Sequence, residues 1–180
     1  MKKTFLGAAL LLLAACNDGG GVMREIQRAE QQQAQASTVT AQSSEEFLEQ
    51  VAAQPGVERR PSGLLLEVRQ RGSDQTLPRP TAAANVLVHY EGRLADGSVF
   101  DSSFARNEPA EFPLGAVVQG FSEAIQQMRP GDEVIATFPM ELGYGPNGRP
   151  PVIPPAAALQ FRIVLLAFQE PGGAPVQAPQ

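Results

Sequence analysis

From Val86 to Glu91 the chain alternates between two sides: Val86, Val88 and Tyr90 fall on one, all apolar, and Leu87, His89 and Glu91 on the other, polar apart from Leu87. This is the period-two pattern of a pleated strand. Asp96-Gly97 follows, a pair that tolerates the positive φ angles of a tight turn, and Val99 to Ser103 resumes an extended pattern. A β-hairpin is therefore predicted over Val86–Ser103. Its second strand brings Phe100 and Asp101 close to Tyr90, so that two aromatic rings and one carboxylate surround one concave surface, which reads as a binding pocket.

On either side of the hairpin the pattern is that of a compact β-rich domain. Leu64 to Gln70 reads as a strand, Gly72 to Ala84 as a loop containing Pro78 and Pro80, and Phe104 to Pro113 as irregular chain. Phe121, Ala124, Ile125 and Met128 recur at helical spacing, and Arg129-Pro130-Gly131-Asp132 breaks that helix. Glu133 to Phe138 alternates through Val134, Ala136 and Phe138, and Ala158 to Phe168 forms the last strand. Pro171 to Gln180 is a Pro/Gly/Ala/Gln tail with too little apolar surface to build a core. Upstream, Val22 to Ala36 predicts a polar helix. A second helix is predicted from Ser43-Ser44-Glu45-Glu46, read as a capping box, through Phe47, Leu48 and Val51 to Pro55-Gly56. These two helices serve either as a solvated spacer or as a pairing surface for a second copy of the chain.

With 180 residues, 43% of them hydrophobic, the chain can bury one core, which predicts one folded domain with appended segments. Its 14 basic and 19 acidic residues give a net charge of −5 with no basic block, so the electrostatic footprint of a nucleic-acid binder is missing. Lys2 and Lys3 precede an apolar run, Phe5 to Ala15, that is too short for a stable transmembrane helix and fits a secretory signal. The run ends in Leu13-Ala14-Ala15-Cys16, which resembles the lipobox of bacterial lipoproteins. Cys16, the single cysteine, is then the acylated residue, and an intrachain disulfide is excluded. Acyl chains at ~0.8 kcal/mol per buried methylene would tether the protein to a membrane without spanning it. The expected organisation is a signal peptide over 1–16, a tether and helical extension over 17–56, a folded domain over 57–169 and a disordered tail over 170–180. The expected location is the bacterial cell envelope, facing the periplasm or the cell surface, with inner and outer membrane both open.

A set of motifs, taken in order, is more specific. Val88-His-Tyr-Glu-Gly92, Asp96-Gly97, Phe100-Asp-Ser-Ser103, Leu114-Gly115, Gln119-Gly-Phe-Ser-Glu-Ala124, Met128-Arg-Pro-Gly131, Gly143-Tyr-Gly145 and Ile153-Pro-Pro155 through Leu159 and Phe161 resemble the FKBP-type peptidyl-prolyl isomerases. The resemblance covers about Val57 to Phe168. Glu45 to Arg71 is also similar to the segment preceding the catalytic domain in bacterial envelope members of the macrophage infectivity potentiator type. The fold implied is α+β: a bent antiparallel sheet wrapped around one short helix, with a helical N-terminal extension.

The activity implied is rotation about Xaa-Pro bonds in unfolded or exported proteins. The resemblance implies Tyr90, Phe100, Asp101 and Tyr144 as catalytic positions, with Phe121 as the floor under the prolyl ring and Tyr144 as donor to a substrate carbonyl. Phe112, Val117, Val118, Ile153 and Phe161 are implied as further substrate-binding positions. It also implies macrolide inhibitors of the FK506/rapamycin type as ligands, and no cofactor or metal. The chain departs from the family pattern in four places: Phe121 stands where a Trp is usual, Ala110 where many members carry an aromatic residue, Arg149 at a flap position that is often His, and the loop at Gly115-Ala116-Val117 is shorter than in some members. The larger aromatic floor is lost with the Trp, which keeps open an alternative, a non-catalytic chaperone or peptide-binding module on the same fold. Other chemistries are poorly supported: His89 is the only histidine and lies off the Tyr90 face, and Gly143 to Gly148 lacks the Lys of a phosphate loop.

Overall fold

A computed structural model describes residues 19–179; the apolar run Phe5–Ala15 and the lipobox ending at Cys16 lie outside them. Contacts divide the chain into two units, 1–35 and 36–180. Helix α1 (Gly19–Ala52) is continuous, where the sequence pattern predicts a glycine tether and two helices. Gly19–Gly21 form its first turn, where backbone N–H groups have no intrahelical partner to lose. Ser43 does not cap. Its hydroxyl donates back to the Thr40 carbonyl at 3.0 Å, as Thr40 does to Ala36 at 2.9 Å, so both hydroxyls bond within the helix. Gly56, at φ +84°, turns the chain after α1. Among the described residues no helix is long and apolar enough to cross a membrane.

In the second unit, eight antiparallel strands form one sheet: β1 (Val57–Arg59), β2 (Leu65–Gln70), β3 (Asn85–Leu94), β4 (Val99–Ser102), β5 (Ala110–Pro113), β6 (Glu133–Phe138), β7 (Leu159–Gln169) and β8 (Val176–Gln177). Their order is β1-β2-β6-β7-β3-β4, with β5 beside β3 and β8 beside β7. β3 and β7 pair along their whole length, from Asn85 opposite Gln169 to Leu94 opposite Leu159. The sheet bends around helix α3 (Gln119–Ile125). Val86, Val88 and Tyr90 of β3, Val134, Ala136 and Phe138 of β6, and Phe161, Ile163 and Leu165 of β7 are buried on the face that receives Phe121, Ala124 and Ile125. Gly120 permits the close approach: a Cβ there would meet the Phe138 ring at 2.4 Å.

Three local outcomes differ from the sequence pattern. The Asp96-Gly97 turn is a three-residue loop in which Gly97 alone takes positive φ (+83°). Leu94 accepts from the Gly97 N–H and donates to Ser98, so Asp96 keeps an ordinary backbone and uses its carboxylate on the Ser98 N–H at 2.9 Å. The irregular Phe104–Pro113 segment contains α2 (Ser103–Arg106), one turn capped by the Ser102 hydroxyl on the Ala105 N–H, and then β5, which places Phe112 opposite Val86. The tail is not wholly irregular, since β8 adds to the free edge of β7 and Val176 packs against the core.

Inside the second unit, the end of α1 is fastened to the sheet through a buried hydroxyl. Ser44 accepts from the Ala158 N–H at 2.9 Å and donates to the Ala156 carbonyl at 3.2 Å. Ala156 itself is left-handed, at φ +57°.

Candidate active site

Phe121 is 3% exposed in the first turn of α3, and rings from three strands meet it edge-on. Its centroid lies 5.1 Å from Phe161 on β7, 5.9 Å from Tyr90 on β3 and 6.2 Å from Phe112 on β5, with interplanar angles of 74°, 83° and 88°. Phe100 on β4 meets Phe161 in the same way at 5.4 Å, and Phe138 stacks behind Phe161 at 5.7 Å. These edge-to-face pairs place the positive ring edges of one residue on the negative face of the next. Gly92 makes the arrangement possible. It sits opposite Phe161 and Asp101 in the ladders, and a Cβ there would come within 2.5 Å of the Phe100 ring and 2.8 Å of the Phe161 ring.

The rings enclose a cavity of about 320 Å³, at the small end for ligand sites. Val117 and Val118, in the turn that leads into α3, and Tyr144, in the loop after β6, complete its walls. The Tyr144 hydroxyl makes no hydrogen bond among the described residues, which leaves it available as a donor.

A polar cluster closes one side. The Tyr90 hydroxyl donates to Oδ2 of Asp101, and Arg106 donates to Oδ1 of the same carboxylate at 2.7 Å and to the Tyr90 oxygen at 3.3 Å. Partial burial pulls the Asp101 carboxyl upward, but the Tyr90 hydroxyl, the Arg106 guanidinium and the Ser102 N–H outweigh it and hold the group below the usual carboxylate range. Burial, followed by the hydrogen bond to Asp101, pushes the Tyr90 phenol up. Ser103 fixes the backbone under this cluster: fully buried, it accepts from the Tyr90 N–H at 2.8 Å and donates to the Tyr90 carbonyl at 3.2 Å. His89, on the opposite face of β3, lies 3.1 Å from the Ser103 hydroxyl and stacks on Phe104 at 5.0 Å.

Of the expected site residues, Tyr90, Phe100, Asp101, Phe112, Val117, Val118, Phe121, Tyr144 and Phe161 line the cavity. Ile153 does not: it is 3% exposed within the core, its N–H and carbonyl bonded to Arg149. Ala116 and Arg149 also line the cavity, and Arg106 grips its carboxylate, although none of the three stands among the expected site residues. Arg106 had no periodic signal to reveal it, because α2 is a single turn. The Ser102 cap was the available clue, since a helical turn from Ser103 carries Arg106 back toward Asp101.

The sequence profile of FKBP-type peptidyl-prolyl cis-trans isomerases matches residues 78–166, and that of the domain amino-terminal to FKBP-type peptidyl-prolyl isomerase matches residues 12–68. The chain is 41% identical over 145 residues to the FKBP-type 22 kDa peptidyl-prolyl cis-trans isomerase of Escherichia coli K12, covering 80% of this chain and 69% of that protein. It is 42% identical over 130 residues to the peptidyl-prolyl cis-trans isomerase Mip of Coxiella burnetii, covering 72% of this chain and 55% of Mip, so it spans about half the length of that relative. Its fold is similar to the crystal structure of FkpA from Escherichia coli, with a TM-score of 0.76 at 29% identity over 89% of this chain and 70% of that one. The first profile runs from the loop before β3 into β7 and so takes in every ring of the cavity, and on these grounds the chain belongs to the family of FKBP-type peptidyl-prolyl cis-trans isomerases.

Proposed function

We propose that the cavity binds Xaa-Pro segments of unfolded or exported polypeptides and accelerates their cis-trans isomerisation without covalent chemistry. The observation that carries this reading is the ring-lined hollow over Phe121 with an unengaged Tyr144 hydroxyl at its wall. Rotation about an Xaa-Pro bond is opposed by ~18–20 kcal/mol of amide resonance. At the twisted geometry that resonance is lost and the carbonyl is less polar, so a dry pocket disfavours the planar ground state more than the twisted state. Phe121, Phe161 and Tyr90 supply the dryness, Phe100 and Phe112 hold the prolyl residue, and Tyr144 donates to a substrate carbonyl. Asp101, with Tyr90 and Arg106, holds a fixed polar edge beside the ring. About 4 kcal/mol of preferential stabilisation, shared among these terms, amounts to on the order of a thousandfold in rate.

The smaller floor supports a second reading, a binding module that holds proline-containing or apolar segments without speeding rotation. One assay separates the two: cis-to-trans relaxation of a short Xaa-Pro peptide with and without the protein, together with peptide binding. Faster relaxation supports the enzyme; binding with unchanged relaxation supports the module.

Macrolides of the FK506/rapamycin type are proposed ligands of the same cavity. The lipobox-like Leu13-Ala14-Ala15-Cys16 supports lipidation at Cys16 and with it an envelope location, on the periplasmic side or the cell surface, with residues 17–56 as spacer or as a pairing surface for a homodimer. A Cys16→Ser variant that leaves the membrane fraction, and sedimentation of the protein as dimer or monomer, test these parts.

A further inference from the structure

Two charged side chains line the cavity, and their situations differ. Asp101 is already neutralised by Arg106 at 2.7 Å. Arg149 is exposed on the loop at the cavity mouth and forms no ion pair among the described residues. The mouth therefore carries one uncompensated positive charge against apolar walls, where water screens it less than on open surface.

The backbone under Arg149 is fixed. Its N–H donates to the Ile153 carbonyl at 2.8 Å and its carbonyl accepts from the Ile153 N–H at 3.0 Å. Gly148 precedes it at φ +62°, packed so tightly that a Cβ would meet the Pro154 carbonyl oxygen at 2.3 Å, and Pro150 follows. A partner would thus have to order only the side chain, which keeps the entropic cost of recognition low.

The cavity is small enough that a prolyl residue on Phe121 leaves the side chains next to it in sequence at the mouth. We propose, resting on the isomerase reading above, that Arg149 selects Xaa-Pro segments carrying a carboxylate side chain beside the proline. A partly desolvated rim ion pair corresponds to about two- to fivefold in kcat/KM, decreasing with salt.

The test uses the full chain and two peptide sets at neutral pH, one with Glu, Gln, Lys or Leu before the proline and one with Glu or Gln after it. Expected is a Glu over Gln advantage of about two- to fivefold in at least one set, reduced at high salt. The advantage should fall to about one in Arg149→Gln, persist in Arg149→Lys and give way to a preference for Lys in Arg149→Glu. Equal rates for Glu, Gln and Lys peptides in an active protein, or a Glu advantage that survives Arg149→Gln, overturn the acidic preference and leave the isomerase reading intact. Failure to accelerate any peptide, Leu-Pro included, overturns both.

Discussion

The Tyr90 hydroxyl donates to one oxygen of Asp101 while Arg106 holds the other, so three side chains from β3, β4 and α2 are joined into one polar cluster at the edge of an apolar hollow. Because the Asp101 carboxyl is held below its unfolded value, its contribution is fully present above about pH 5 and is lost as pH falls through the lowered value. Arg106→Met removes a cation and two hydrogen bonds from the cluster. The acid limb of the kcat/KM profile should move to higher pH in this variant, while the rate at neutral pH falls by less than the loss of Asp101 itself would cause. An acid limb that stays where it is in the parent protein would show that Asp101 does not set it.

Tyr144→Phe removes one hydroxyl that makes no hydrogen bond among the described residues. Turnover of an Xaa-Pro peptide should decline about five- to tenfold, the equivalent of one hydrogen bond, with the thermal midpoint nearly unchanged. Parallel loss of stability and activity would instead mark Tyr144 as structural.

Gly92→Ala sets two effects against each other. Replacing glycine inside a strand ordinarily gains about 0.5–1 kcal/mol, but the new methyl would stand 2.5 Å from the Phe100 ring. Overpacking costs about 1–3 kcal/mol and wins. Chemical denaturation should show net destabilisation, and weaker peptide binding should accompany it because Phe100 and Phe161 are displaced into the cavity.

Asp132 is fully buried and accepts from the N–H groups of Gly72 at 2.7 Å and Arg129 at 3.0 Å, from Gln75 at 3.0 Å and from Arg71 at 3.1 Å. Burial raises its carboxyl, but these four donors prevail and hold it below the ordinary value. Asp132→Ala should destabilise by about 3 kcal/mol, since it removes four hydrogen bonds to a buried carboxylate and leaves the half-buried Gly72 and Arg129 N–H groups unpaired. The parent has this stabilisation in full above about pH 5 and loses it as pH falls through the lowered value, so the variant's stability should fall less steeply in acid.

The hairpin, the strand at Glu133–Phe138 and the helix carrying Phe121 were legible because each shows a clean period, and the aromatic positions followed from ordered motifs. What escaped the sequence was set by long-range contact. Ser44 reads as part of a cap when only its neighbours are considered, yet its partners lie at Ala156 and Ala158. Ile153 shares the motif that supplies the flap, but the ladder with Arg149 turns it into the core. Arg106 and β8 are too short for periodicity to reveal, and each owes its place to a partner distant in sequence, Tyr90 and β7 respectively.

The hydroxyl of Ser44 also decides where the gene can be cut. A recombinant fragment opening at Val57, where the β-rich pattern starts, would discard the acceptor for the Ala158 N–H and the buried Val51, exposing a raw seam at the start of β7. Opening at Ala36 instead retains both, so expression trials of a minimal fragment belong upstream, inside α1.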